Sequence, residues 1–131
     1  DTGERRLIEG RFSDLCQFHA MGEGFTWETQ DKTRDIAMAR KGWEKAMELI
    51  RDPDIRMVLL DEINIALRYG YLDFAEVVAF LDTERPPMTH VVLTGRNARE
   101  ELIGIADLVT EMTMVKHPFR SGIKAQPGVE F

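Results

Sequence analysis

Two short apolar runs, each closed by polar residues and followed by a helical pattern, constrain this chain more than any other feature. Residues 56–61 read Arg-Met-Val-Leu-Leu-Asp, and residues 89–94 read Thr-His-Val-Val-Leu-Thr. An unbroken apolar run of this length is the pattern of a buried parallel strand. Parallel strands cannot be joined by a tight turn and need a crossover, usually helical. The segment between the runs supplies one. Residues 62–70 have a helical pattern that ends at Gly70. Asp73 can then cap a helix over 74–82, with Phe74, Val77, Val78 and Leu81 on one side, until Pro86-Pro87 breaks it.

The same grammar extends outward from this centre. Over 31–51, Ile36, Ala39, Trp43, Met47 and Ile50 recur at helical spacing, so Trp43 is expected in the core. Thr29 or Asp31 can cap that helix, and Asp52-Pro53-Asp54 stops it. Residues 98–106 form a short helix with Leu102, Ile103 and Ala106 as its apolar face. Residues 107–115 alternate and read as a further strand, as do 12–19, where Cys16 is expected to be a buried, inert thiol. Residues 1–11 are a loop or short helix, and 116–131 are rich in turns. The alternation of strand and helix predicts an α/β fold with a largely parallel sheet and helices on both faces.

Composition excludes several classes. At 131 residues and 44% hydrophobic, the chain is the size and balance of one small globular domain. A net charge of −6 argues against non-specific binding of nucleic acid or an anionic membrane. No apolar run approaches the roughly 20 residues that span a bilayer. With a single cysteine and no signal-peptide pattern, the expectation is a cytoplasmic protein.

The polar ends of the runs are where chemistry can sit. In open α/β sheets, ligands bind beyond the carboxyl ends of the strands. Asp61-Glu62 after four apolar residues is the Walker B pattern, in which a carboxylate holds a hydrated Mg²⁺ against nucleotide phosphates. The plainer alternative is an acidic strand end facing solvent. No segment matches the phosphate loop G-x-x-x-x-G-K-[ST] that usually accompanies it. Thr94-Gly95-Arg96 closes the second run, so Arg96 and Arg99 can reach a phosphate or carboxylate, or stand as surface arginines. Phe25-Thr26-Trp27, beside Gly22 and Gly24, reads either as a ligand-facing loop or as a strand with both rings in the core. His19, His90 and His117 lack metal-ligand spacing, and no serine or cysteine sits in a nucleophile motif.

Gly24-Phe25-Thr26-Trp27-Glu28-Thr29 and Val58-Leu59-Leu60-Asp61-Glu62 together closely resemble the ATP:corrinoid adenosyltransferases of the RecA-like P-loop type. Gly3-Glu4-Arg5, Thr94-Gly95-Arg96, Ala106-Asp107-Leu108-Val109-Thr110-Glu111, Val115-Lys116-His117 and Gly122-Ile123-Lys124-Ala125-Gln126 match in the family's order. The resemblance implies transfer of the 5′-deoxyadenosyl group of ATP to the reduced cobalt of a corrinoid, with release of triphosphate, in cobalamin biosynthesis or salvage. It implies Mg²⁺ or Mn²⁺, with Asp61 and Glu62 as the catalytic, metal-side acids. It assigns Phe25 and Trp27 to the lower face of the corrin, where they displace its axial ligand, and Thr94 and Arg96 to ligand binding. A ligand-facing loop of this kind is expected to be mobile or irregular over 21–29 without corrinoid.

An electron-donating reductase such as flavodoxin and a homodimer are the implied partners. Family members carry a strand, a phosphate loop, a helix and a second strand before the position of Gly3. The expectation is therefore that residues 1–131 are the C-terminal two-thirds of one domain, a partial RecA-like fold without its N-terminal strands and Walker A loop. The rival readings are a non-catalytic RecA-like module that binds a corrinoid or a protein, and a generic P-loop ATPase, against which the Phe25/Trp27 pair argues.

Overall fold

The computed structural model describes residues 3–21 and 32–125. Contacts divide the chain into two compact units, Met21–Val109 and a second made of Asp1–Ala20 with Thr110–Phe131.

The larger unit is α/β. Its elements are α2 (Lys32–Arg51), β1 (Met57–Leu60), α3 (Ile63–Arg68), α4 (Phe74–Thr83), β2 (His90–Leu93) and α5 (Glu100–Ile105), with α1 (Gly3–Arg11) belonging to the smaller unit. The strands pair in parallel, with Met57 opposite His90 and Leu60 opposite Leu93. This register brings the carboxyl ends of both strands to the same edge. The crossover between them is the pair α3 and α4, as the sequence pattern requires.

Local chemistry explains the helix limits. The Asp73 carboxylate accepts the Glu76 backbone N–H at 2.9 Å and caps α4. Gly70, at a φ of 68°, donates its N–H to the Leu67 carbonyl and ends the α3 segment. α2 stops at Arg51, ahead of Pro53. One core joins the layers: Trp43, Ala46 and Ile50 of α2, Val58 of β1, Leu67 of α3, Val77, Phe80 and Leu81 of α4, and Leu102 of α5. Trp43 packs edge-on against Phe80, ring centroids 5.4 Å apart, which locks α2 to α4. The expected apolar face of α4 holds, that of α2 holds from Ala39 onward while Ile36 is exposed, and on α5 Leu102 turns inward and Ile103 outward.

Three expectations are corrected. Helices on both sheet faces were expected, yet only one face of the described sheet is covered. Val58, Leu60, Val91 and Leu93 face the core, whereas Met57 and Leu59 remain 62% and 58% exposed. Neither 12–19 nor 107–115 is a strand. Phe12–Cys16 is captured instead by local bonds, Leu15 N–H and Cys16 N–H both donating to the Phe12 carbonyl. Residues 107–115 alternate but find no ladder partner, and Leu108, Met112 and Val115 stand in solvent. Cys16 is exposed, not buried, because the strand 12–19 that was to carry it into a sheet does not form.

The smaller unit has α1, with an Arg5–Glu9 ion pair one turn apart at 2.9 Å, and a 3-10 turn over Pro118–Ser121. No helix among the described residues is long and apolar enough to cross a membrane.

Candidate functional site

The site grows from the ends of the two strands. β2 runs past its last ladder residue, and the Thr94 N–H still donates to the Leu60 carbonyl at 3.2 Å. The Thr94 carbonyl accepts the Asn64 N–H at 3.3 Å, tying the second strand end to the first turn of α3. The Thr94 hydroxyl accepts the Glu62 N–H at 2.8 Å and donates to Asp61 Oδ1 at 2.7 Å. Asp61, Glu62 and Thr94 are therefore one hydrogen-bonded group, although Asp61 and Thr94 lie 33 residues apart.

The backbone is unusual where these residues meet. Glu62, the residue before α3, has φ 57° and ψ 21°, a left-handed conformation seldom adopted by a residue with a side chain. Gly95 has a φ of +123°, and a Cβ there would lie 2.9 Å from Asn64 Cβ and 3.3 Å from Glu62 Oε2. Glycine at 95 thus lets the second strand end close over the first, and it places the Glu62 carboxylate beside Gly95. Asn97 is also left-handed, at φ 58°.

Both acids are exposed. Among the described residues, the Thr94 hydroxyl holds Asp61 Oδ1, and Oδ2 takes no hydrogen bond. This suits a small hard cation. Mg²⁺ is usually held by one or two protein carboxylates, with substrate phosphates and water completing its shell. Among the described residues no cluster of three or more acids, histidines and cysteines offers an all-protein cage.

The two arginines differ. Arg96 is exposed and has no ion pair among the described residues, which leaves it able to meet an anion. Arg99 is engaged: its guanidinium lies 3.7 Å from the centre of the Phe74 ring and pairs with Glu101 at 2.7 Å. The Glu101 carboxyl titrates below the usual carboxylate range, held there first by a backbone hydrogen bond and then by Arg99. Arg99 and Phe74 line a cleft of about 200 Å³ with Asn64, Asn97 and Leu102.

Of the residues expected from sequence, Asp61, Glu62 and Thr94 come together at the carboxyl edge, and exposed Arg96 follows Thr94 by two residues. Phe25 and Trp27, and the expectation of a mobile 21–29 loop beyond Met21, lie outside the described residues. Asn64 was missed. Its signal was a polar residue on the inward face of the 62–70 helix, where it is buried to 7% exposure.

Comparison with known proteins shows the family. The sequence profile of the family described as ATP:corrinoid adenosyltransferase BtuR/CobO/CobP matches residues 1–131. Over 130 residues, 99% of this chain, the identity is 74% to a corrinoid adenosyltransferase from Sinorhizobium sp., covering 61% of that protein. It is 55% to a corrinoid adenosyltransferase of Pseudomonas aeruginosa, covering 63% of it. It is 40% to that of Escherichia coli K12, covering 64%. The chain thus spans less than two thirds of the length of these curated relatives.

Proposed function

The chain belongs to the ATP:corrinoid adenosyltransferase family BtuR/CobO/CobP, and from that premise we propose that its protein transfers the 5′-deoxyadenosyl group of ATP to cobalt in a reduced corrinoid. The observation that carries the reading is the strand-end group. Two acidic residues stand at the carboxyl edge of a parallel sheet, one of them oriented by a hydroxyl from the neighbouring strand end, with exposed Arg96 two residues beyond that hydroxyl.

The step balances as a displacement. The cob(I) centre supplies an electron pair to the ribose C5′, a Co–C bond forms, and the C5′–O bond breaks. Triphosphate departs with that electron pair. Asp61 and Glu62 are the residues that would hold Mg²⁺ or Mn²⁺ on the triphosphate, and Arg96 would meet its oxygens. When bound, the cation neutralises charge on the departing triphosphate. Phe25 and Trp27 would pack under the corrin and keep water and the lower axial ligand away. A four-coordinate cobalt is easier to reduce, since it need not shed a donor on gaining an electron.

We read the α/β unit as part of a RecA-like P-loop domain, of which residues 1–131 are the C-terminal two-thirds. Its phosphate loop would lie N-terminal to Asp1. A flavodoxin-type reductase, a homodimer and a cytoplasmic site in cobalamin biosynthesis or salvage belong to the same proposal.

The test is adenosylation by the full-length protein, with ATP, Mg²⁺ and chemically reduced cob(I)alamin, followed by absorbance and by triphosphate release. Turnover is expected, and Asp61→Asn should lower it by about 100-fold, the size of losing roughly 3 kcal/mol of transition-state stabilisation. Corrinoid binding without turnover in the wild type would instead establish a non-catalytic role.

A further inference from the structure

We propose that Thr94 is a positioning residue, one that aims the Asp61 carboxylate and fixes Glu62, and does not itself bind the triphosphate. The inference rests on the reading that these acids serve a divalent cation.

A threonine hydroxyl has one proton and two lone pairs. In this structure the proton goes to Asp61 Oδ1 at 2.7 Å, and one lone pair accepts the Glu62 N–H at 2.8 Å. No proton is left for a phosphate oxygen. The main chain of Thr94 is equally committed, its N–H to the Leu60 carbonyl and its carbonyl to the Asn64 N–H. Four hydrogen bonds therefore run from this one residue to the end of the neighbouring strand and the start of α3.

Their effect is geometric. With Oδ1 held, the Asp61 carboxylate cannot spin freely, and its direction is set by Thr94. With its N–H held, Glu62 is kept in the left-handed conformation that turns the chain from β1 into α3. That conformation sets the Glu62 carboxylate against Gly95, on the same edge as Asp61. A β-branched residue suits the task, because its χ1 is stiff and its hydroxyl keeps one direction. Both acids come from the β1 end, yet their orientation is decided by the β2 end.

The test uses the full-length protein with Mn²⁺ and ATP. Water-proton relaxation enhancement reports Mn²⁺ held on the protein and gives the dissociation constant of the Mn²⁺–ATP complex. Thr94→Val, which keeps the shape and removes the hydroxyl, should weaken that complex by about tenfold, and Thr94→Ser should restore it to within about threefold, as expected for one hydrogen bond to a charged group. Circular dichroism checks that each variant folds. If the valine variant does not, Thr94→Ala takes its place as the hydroxyl-free form.

Wild-type Mn²⁺–ATP affinity in the hydroxyl-free variant, with affinity lost in Asp61→Asn, would overturn the positioning role and leave the proposed function standing. Serine as weak as valine would also overturn it, since the methyl and not the hydroxyl would then matter. Undiminished affinity and turnover in both Asp61→Asn and Glu62→Gln would overturn the metal-side assignment of the acids, and the inference with it.

Discussion

Replacing Gly95 by alanine should destabilise the protein far more than its single added carbon suggests. Two costs combine. The residue sits at a φ of +123°, where a side chain is strained whatever the space around it. Such backbone strain costs roughly 1–3 kcal/mol. The new Cβ would also stand 2.9 Å from Asn64 Cβ, well inside the ordinary carbon–carbon contact of about 3.5–4.0 Å. Asn64 cannot simply swing aside, because it is buried and its N–H is bonded to the Thr94 carbonyl. Overpacking of a buried site costs about 1–3 kcal/mol.

Together these give about 4 kcal/mol, a large part of the roughly 5–15 kcal/mol that holds a domain folded. For a chain of this size that corresponds to a fall in Tm on the order of 10 °C. Two other glycines calibrate the argument. Gly70 has φ +68° with open space around it, so alanine there should cost only the conformational term, about 1–2 kcal/mol. Gly104 lies within α5 with nothing near it, and alanine there should stabilise by up to about 1 kcal/mol. Urea and thermal unfolding of the full-length protein, followed by circular dichroism, rank the three. A Gly95→Ala variant no less stable than Gly70→Ala would refute the claim that the two strand ends are packed to contact.

Residues 1–131 alone should bind ATP weakly and show no turnover, because phosphate-loop amides and a lysine supply much of the affinity for a triphosphate. Calorimetry on mass-verified protein measures this, and tight binding would mean that the strand-end group holds ATP unaided. In the full-length protein, Phe25→Ala and Trp27→Ala should impair adenosylation of cob(II)alamin reduced by a protein partner and largely spare the reaction with preformed cob(I)alamin. Equal losses in the two assays would remove the reduction role of the rings.

Much of the fold was legible in short stretches of sequence. Helical spacing located α2 and α4, Asp73 marked a cap that forms, and two apolar runs marked two parallel strands. These features depend on neighbours within a turn or two, so the chain itself carries them. The proposed strands at 12–19 and 107–115 show the limit. A strand is made by its partner, and alternation cannot supply one. Leu15 ended in a helical turn, and Met112 in solvent.

The candidate site divides in the same way. Asp61-Glu62 and Thr94-Gly95-Arg96 could be chosen as strand ends from sequence, because apolar runs followed by polar residues mark the carboxyl edge. Motif order along the chain is enough to mark its family, whose profile matches residues 1–131. Which atoms meet was decided only by tertiary structure. The parallel register sets Leu60 beside Leu93, and so brings the Thr94 hydroxyl to Asp61 and to the Glu62 N–H. The left-handed turn at Glu62 and the contact that requires glycine at 95 exist only once those strand ends are paired. Residue type specified what each group can donate or accept; pairing across 33 residues of chain determined to whom.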